Sequence, residues 1–455
     1  MPPITWRLAA VLSLLTAAAP APAARRPRYG GTLRVEMRTA LNALDPTDTG
    51  AAAFRLAPLV FDRLVRIDPH GLPQPALAVS WSHDSDARRW HFRLRAGVKF
   101  HDGTPLAAGP ALAAALQSVL PGFSVGASGD ALTIDCARPN PAHPLELGRR
   151  GYLFARSAEG AAIGTGPFRP TGLEPGRRAS FAANDEYWGG RPFLDAIEVS
   201  MGRPSREQLI DLEVGRADLV ELAPGDLRRA AGGGRAVWSS APVVLLALVF
   251  HDGRPAGPRL REALALAIDR AAIHNVLLQR RGDISGGILP QWLSGYAFLF
   301  PAAPDLARAR LLAGEAAPAA RTVTLAWDPA EPLSRTIAER IAVNARDAGI
   351  AVQVAAPGTR ADARLTALRV ASLDPAQALA ELAPALGFPP LERQPSLEAL
   401  YSAERRLLED FRVVPLFHLP EDFGAAPRVR NWAPPAVTRL GAWRLADIWL
   451  EGSRP

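Results

Sequence analysis

Eight histidines and one cysteine limit the side-chain chemistry open to this chain. His83-Asp84, His101-Asp102 and His251-Asp252 are adjacent pairs. Such neighbours do not converge on one centre as two ligands on a single helical face do. His101-Asp102 runs into Gly103, the sequence of a tight turn in which glycine takes positive φ. His418 has no second ligand beside it, so it is a weak nickel or haem ligand. Cys136 stands alone, so no intramolecular disulfide forms. There is no nucleophile elbow, Walker loop, dinucleotide fingerprint or Cys/His metal motif. Gly232-Gly233-Gly234 has the composition of a phosphate nest, but no helix start of the P-loop kind adjoins it. The reading is a chain with no catalytic residues, no metal and no cofactor.

The elements that position binding residues follow from periodicity. Residues 30–37 alternate behind a Gly30-Gly31 turn and predict a strand. Residues 54–67 place Leu56, Leu59, Val60 and Leu64 at helical spacing. Trp90, Phe92 and Leu94 alternate with His91, Arg93 and Arg95, the pattern of a half-buried strand. Helices are predicted over 110–120 and 206–214, and strands over 131–136, 197–201 and 217–220. Residues 243–250 form a continuous apolar run of buried-strand length. The strongest helix spans 260–278, with Leu260, Ala263, Leu264, Ala267, Ile268 and Ala271 on one face. A strand over 323–327, a helix over 333–348 closed by Gly349 and a strand over 350–354 make an α/β crossover unit. A helix over 397–408 and a strand over 413–419 follow, while the Ala- and Pro-rich stretch 355–395 has no clear period.

With 455 residues, 48% hydrophobic and 21% charged, the chain has the length for two or three domains and needs no disulfide or metal staple. Arg7, the apolar run 8–19 and the small residues 21–24 read as a secretory signal, cleaved near Ala23 or Ala24. The apolar run is shorter than the roughly 20 residues that a spanning helix needs. Removing residues 1–24 takes away Arg7 and lowers the formal charge from +7 to +6. Those charges are scattered arginines, which fit a solvated surface; no basic run interleaved with aromatics points to nucleic acid.

Four motifs occur in order: GGTLRVEM at 30–37, WHFRLRAGVKFHDGTPL at 90–106, GTGPF through NDEYWGGRPFLD at 164–195, and PRLREALALAIDRAAI at 258–273. Together they resemble the family 5 extracellular solute-binding proteins, the peptide- and nickel-type receptors of ABC importers. The resemblance implies an α/β fold of the two-lobed periplasmic-binding-protein kind, type II-like, with an extra domain inserted in the first lobe and a ligand cleft between lobes. Mapped by that resemblance, residues 25–50, 163–245 and 415–455 form lobe I, 51–162 the inserted domain, and 246–414 a shortened lobe II, with hinge crossings at Phe250 and Pro415.

The same resemblance implies cleft closure over a small solute, peptide-like above others, which is delivered to ABC permease subunits at the inner membrane. No cysteine follows the signal, so the expectation is an unanchored, monomeric periplasmic protein. In peptide-binding relatives an acidic residue before a proline pairs with the peptide amino terminus. Here ALRVASLDPAQAL offers Asp374 before Pro375, although the aromatic residues usual before it are replaced by Arg369, Val370, Ala371 and Ser372. Asp374 reads equally as a helix N-cap. Trp292 and Tyr296 in an irregular aromatic loop, Trp327 at a strand end, Arg364 and His418 are the other cleft candidates, with core packing as the competing role. The shortened lobe II also admits a non-transport or degenerate binding protein of this fold, a sensor or scaffold subunit.

Overall fold

The computed structural model describes residues 26–452 except 47, 49–50, 69, 121, 151–154, 157–161, 252–255, 297–298, 318–320, 357 and 438–441. The signal sequence and the Asp252 of the His251 pair therefore lie outside the described residues. An 11-stranded mixed sheet organises the chain. Its order is Phe168–Glu174, Arg178–Ala183, Ala196–Ser200, Thr32–Glu36, Leu219–Leu222, Val413–Ala425, Ala236–Phe250, Ala363–Arg369, Thr322–Ala326 and Ala351–Val354, with Asp283–Ile284 paired beside Val413–Ala425.

Two strands hold this sheet together. Ala236–Phe250 and Val413–Ala425 run antiparallel over most of their length, from Ala236 opposite Ala425 to Val249 opposite Val413. Their ladder is irregular between Ser239 and Val244, where Pro242 faces Pro420. Proline has no N–H to donate, so two facing prolines leave the ladder unbonded at that point. The break also separates two hydrophobic cores. Phe423 and Ala425 lie in one, with Leu33, Val35, Ile197 and Val199. Leu245 to Phe250 and Val413 to Phe417 lie in the other, with Leu264, Leu325, Ile341 and Leu379.

A second, four-stranded antiparallel sheet has the order Ala78–His83, Arg89–Leu94, Ala131–Cys136 and Phe123–Ser128. Its buried Trp90, Phe92, Leu132 and Ile134 join the first core.

Most predicted elements appear within a few residues of their expected bounds, and three depart for visible reasons. Helix Ala51–Val60 stops well short of residue 67, because Asp62 is drawn into side-chain bonds and Val65–Ile67 becomes a strand. The helix expected over 260–278 is broken. Pro258–Ala267 ends where Ile268 turns extended at φ −74°, ψ 115°, Asp269 caps a new turn, and a π-helical stretch Ile273–Leu277 follows. The break puts the Arg270 side chain wholly inside the second core, where it donates to the carbonyls of Ala265 and Pro415. The unpatterned 355–395 stretch contains strand Ala363–Arg369 and helix Pro375–Ala385.

The glycines of GTGPF do a different job from the one their type suggests. Neither takes positive φ. Instead the segment lies against the end of helix Ala51–Val60, and Gly166 N–H donates to the Val60 carbonyl at 2.9 Å. A Cβ on Gly164 would stand 1.8 Å from the Val60 oxygen, and one on Gly166 2.6 Å from the Leu59 oxygen. Backbone cannot yield cheaply there, so Gly164→Ala is expected to cost at least about 1–3 kcal/mol in urea unfolding. Unchanged stability would show that the contact relaxes.

Candidate functional site

The seam between the two cores carries a set of charged side chains. From the first half come Arg38, just beyond strand Thr32–Glu36, Arg55 on helix Ala51–Val60, and Glu221 in strand Leu219–Leu222. Glu421 lies on the crossing strand next to Pro420. From the second half come Arg369, ending strand Ala363–Arg369, and Glu331, in the loop between strand Thr322–Ala326 and helix Ser334–Asp347.

These six groups form a continuous chain of ion pairs. Glu221 takes Arg55 Nη1 at 2.7 Å and Arg38 Nε at 3.3 Å. It also accepts the Arg38 backbone N–H at 2.6 Å. Arg55 reaches Glu421 at 3.6 Å, and Arg369 Nε donates to the other Glu421 oxygen at 2.9 Å. Arg38 Nη1 lies 3.6 Å from Glu331 Oε2. That last contact spans the seam itself. The Arg55 guanidinium also lies over the Trp443 ring, 5.2 Å from its centroid, a cation–π position.

Burial alone would oppose ionisation of Glu221, but Arg55 and Arg38 outweigh it and hold its pKa at about 2. Glu331 goes the other way. Burial raises it, Arg38 opposes, and the nearby Glu221 charge raises it further. Asp422 lies one residue past Glu421, where it accepts Ser239 Oγ at 2.5 Å and Arg281 Nη2 at 2.6 Å. Arg281 comes from the second half of the chain, so this pair ties the halves together beside the crossing strands.

The residues expected from sequence fall in different places. Trp292 sits at the crossing, 40% exposed, its Nε1–H donating to the Pro242 carbonyl at 3.0 Å. Trp327 is half-buried against the second core and begins the loop that carries Glu331. Tyr296 instead donates to Glu404, which also accepts from the Ile288 and Leu289 N–H groups. Arg364 is exposed at the end of its strand remote from Arg369, about 16 Å away at 3.3 Å per residue.

Asp374 caps helix Pro375–Ala385. Its Oδ1 accepts from Ala376 N–H at 3.0 Å and Gln377 N–H at 3.4 Å, and its Oδ2 pairs with Arg393. His418 is buried with its pKa lowered to about 4 by that burial, and its Nε2–H donates to the Ile288 carbonyl at 3.0 Å. Phe250 lies in the second core, with the buried Pro415 beside Arg270. The ladder of the crossing strands is irregular around Pro242 and Pro420 and again between Leu246 and Ala247, opposite Phe417 and Pro415. Among the described residues no group of three or more His, Cys, Asp or Glu is placed to hold a metal.

A second polar hub lies in the first half. Asp62 accepts Thr165 Oγ1 at 3.0 Å, Tyr187 OH at 3.0 Å and Trp188 Nε1 at 2.7 Å. All three donors belong to the GTGPF and NDEYWGG motifs. Burial pushes Asp62 up to about 6 even against these donors. The motif aromatics thus join the segment after helix Ala51–Val60 to the first core.

Two half-sheets joined by a pair of crossing strands, with a charged seam between them, define a two-lobed α/β binding protein. The profile of bacterial extracellular solute-binding proteins, family 5 Middle, matches residues 73–116 and 154–374, more than half of the chain, and the chain belongs to that family. "Probable di/tripeptide-binding protein 5" of Pseudomonas aeruginosa is 27% identical over 313 residues, covering 58% of this chain and 60% of that protein. The chain spans three-fifths or less of the first curated relatives it matches. Among solved structures, Staphylococcus aureus NikA in complex with Ni(L-His)2 superposes with TM-score 0.81 at 16% identity, covering 92% of this chain and 100% of that one. The dipeptide-binding protein of a Pseudoalteromonas species with Met-Leu gives 0.81 at 17%, with the same coverage. No helix among the described residues is long and apolar enough to cross a membrane.

Proposed function

We propose that the chain is a receptor that closes its two lobes over a small solute, peptide-like above others, and delivers it to an ABC permease without chemical change. The observation that carries this reading is the pair of crossing strands with facing prolines, set between two separate cores and beside the ion pairs that join them. A ligand touching both sides of such a seam stabilises only the closed form, and shifts the population by its differential affinity.

The solutes named with the structural neighbours, Met-Leu and Ni(L-His)2, support a small ligand built from amino acids. We take lobe I as residues 25–50, 163–245 and 415–455, the associated inserted domain as 51–162, and lobe II as 246–414. We take the hinge at Phe250 and Pro415, with the proline pair Pro242 and Pro420 as a second irregular point of the same crossing. The location follows from the leader: export with cleavage near Ala23 or Ala24, and a monomer in the periplasm. Trp292 and Trp327 serve as aromatic walls.

The test is thermal unfolding of the mature, ligand-stripped protein against dipeptides, longer peptides, sugars and nickel–histidine complexes. A ligand at 100 times its Kd adds about 2.7 kcal/mol and raises Tm by a few degrees. A panel in which nothing raises Tm would refute the receptor reading.

A further inference from the structure

Between the lobes, Arg38 meets a carboxylate from each side. Glu331 reaches across from the second lobe to Arg38, the same arginine that holds Glu221. The two acids are held very differently. Glu221 accepts two hydrogen bonds from Arg38, at 2.6 and 3.3 Å, and pairs with Arg55 at 2.7 Å, with its side chain 2% exposed. Glu331 makes one ion contact at 3.6 Å, longer than a hydrogen bond, and its side chain is 34% exposed.

The loop that presents Glu331 is built to hold it there. Glu331 lies between Pro329 and Pro332, whose fixed φ angles reduce the freedom of the chain around it. Asp328 Oδ1 accepts the Ala330 N–H at 2.9 Å, and Asp328 N–H donates to Ser334 Oγ at 3.1 Å. Leu333 takes φ +63°, a left-handed conformation unfavourable for a branched side chain. Backbone strain of this kind persists where a segment is held for a purpose.

Charge decides what replaces Glu331. Arg38, Arg55 and Arg369 face Glu221, Glu421 and Glu331, so the network is neutral while Glu331 is in place. Withdrawing Glu331 leaves three guanidiniums against two carboxylates. The vacated position then leaves Arg38 Nη1 without its carboxylate.

We infer that Glu331 is a built-in stand-in for the cargo: a solute carrying one free carboxylate takes its place on Arg38, so the receptor selects acids over their neutral derivatives. This deepens the receptor reading and rests on it. The loop latches the empty lobes together, and cargo must displace it. A competing internal ligand reduces apparent affinity by the fraction of time it is out of the way.

The test uses the full mature chain and Glu331→Gln, which keeps the shape of a part-exposed side chain. Scattering of the ligand-free proteins reads the latch alone. The variant is expected to be more open than the wild type. Calorimetry with N-acetyl-Ala-Ala, its C-terminal amide and inorganic phosphate reads the selection. The acid is expected to bind the variant about tenfold more tightly than the wild type, and to bind either protein more tightly than the amide does. Ligand-free scattering identical in both proteins overturns the latch. An amide that binds as well as the acid, or phosphate that binds in place of it, overturns the carboxylate assignment. If no probe binds either protein while Glu331→Gln still opens the lobes, the receptor reading fails and the latch stands.

Discussion

Glu221→Gln is expected to lower the unfolding free energy by about 3–5 kcal/mol at pH 7, because it leaves Arg38 and Arg55 facing each other in a buried site with no carboxylate between them. Replacing both members of a buried pair with apolar groups is often tolerated, whereas removing one strands the other in a medium that solvates charge poorly. Here one acid serves two guanidiniums, and only 2% of its side chain is exposed. The pH dependence gives the prediction its second arm. The folded pKa of Glu221 is held near 2, below the ordinary 4.5. A depressed acid stabilises the fold above its unfolded pKa and loses that contribution as pH falls through its folded pKa. The gap between wild type and Glu221→Gln should therefore be full at pH 7 and narrow below about pH 4.5. Urea midpoints at pH 7, 4.5 and 3.5 measure it. A loss under about 1 kcal/mol, the range of an exposed pair, would mean that solvent reaches the site. A gap that does not change with pH would mean that the loss comes from the amide NH2 set against a guanidinium in place of an acceptor oxygen, and not from the charge.

The sequence made the family legible because its motifs build the scaffold. GTGPF must contain glycine where it touches the backbone of Val60, and Tyr187 and Trp188 must be present to reach Asp62. These are contacts between segments over a hundred residues apart, and the residues at one end of them are what the eye recognises. The cleft was harder to read. Trp292 and Trp327 stood out as large aromatics beside turns, and they do lie at the crossing and at the root of the Glu331 loop. Tyr296, Arg364 and Asp374 looked equally suitable, yet their polar atoms serve a buried glutamate, a solvent face and a helix cap.

The missed residues carried a signal of a different type. Glu221 stands within the apolar strand LVEL, and Glu421-Asp422 interrupt the run from Val413 to Ala425. A carboxylate inside a buried strand needs a partner, and the basic residues scattered through the chain include those partners. Which arginine answers which glutamate depends on the crossing of the two long strands, a long-range arrangement that no local period encodes. The broken helix at Ile268 is the same lesson in a smaller space. Its apolar face is continuous in sequence, but burying Arg270 against two carbonyls requires the chain to turn there.

Asp62 provides the second large effect, with the opposite dependence on pH. Asp62→Ala removes the acceptor of three side-chain donors, Thr165, Tyr187 and Trp188, and leaves them to find water or nothing. At typical costs for stranded donors in a part-buried site the loss is about 2–4 kcal/mol. Asp62→Asn should behave otherwise. Its oxygen, placed where Oδ2 lies, still accepts from Thr165 and Trp188, while its amide can donate to the Tyr187 hydroxyl, which rotates to accept. At pH 7 the variant is expected to stay within about 1 kcal/mol of the wild type.

The wild-type carboxyl has its pKa raised to about 6, against 3.8 in the ordinary state. A raised acid gives stability that is complete below its unfolded pKa and is lost as pH rises through the folded one. Asparagine does not titrate, so Asp62→Asn should gain on the wild type by about 1–2 kcal/mol between pH 4 and pH 7. Urea unfolding of the three proteins across that range separates the possibilities. If the alanine and asparagine variants fall together, the isosteric amide does not satisfy the three donors and both carboxyl oxygens are needed as acceptors. If asparagine loses ground as pH rises, the carboxylate is preferred there in its charged form, and the donors around it outweigh the burial that raises its pKa.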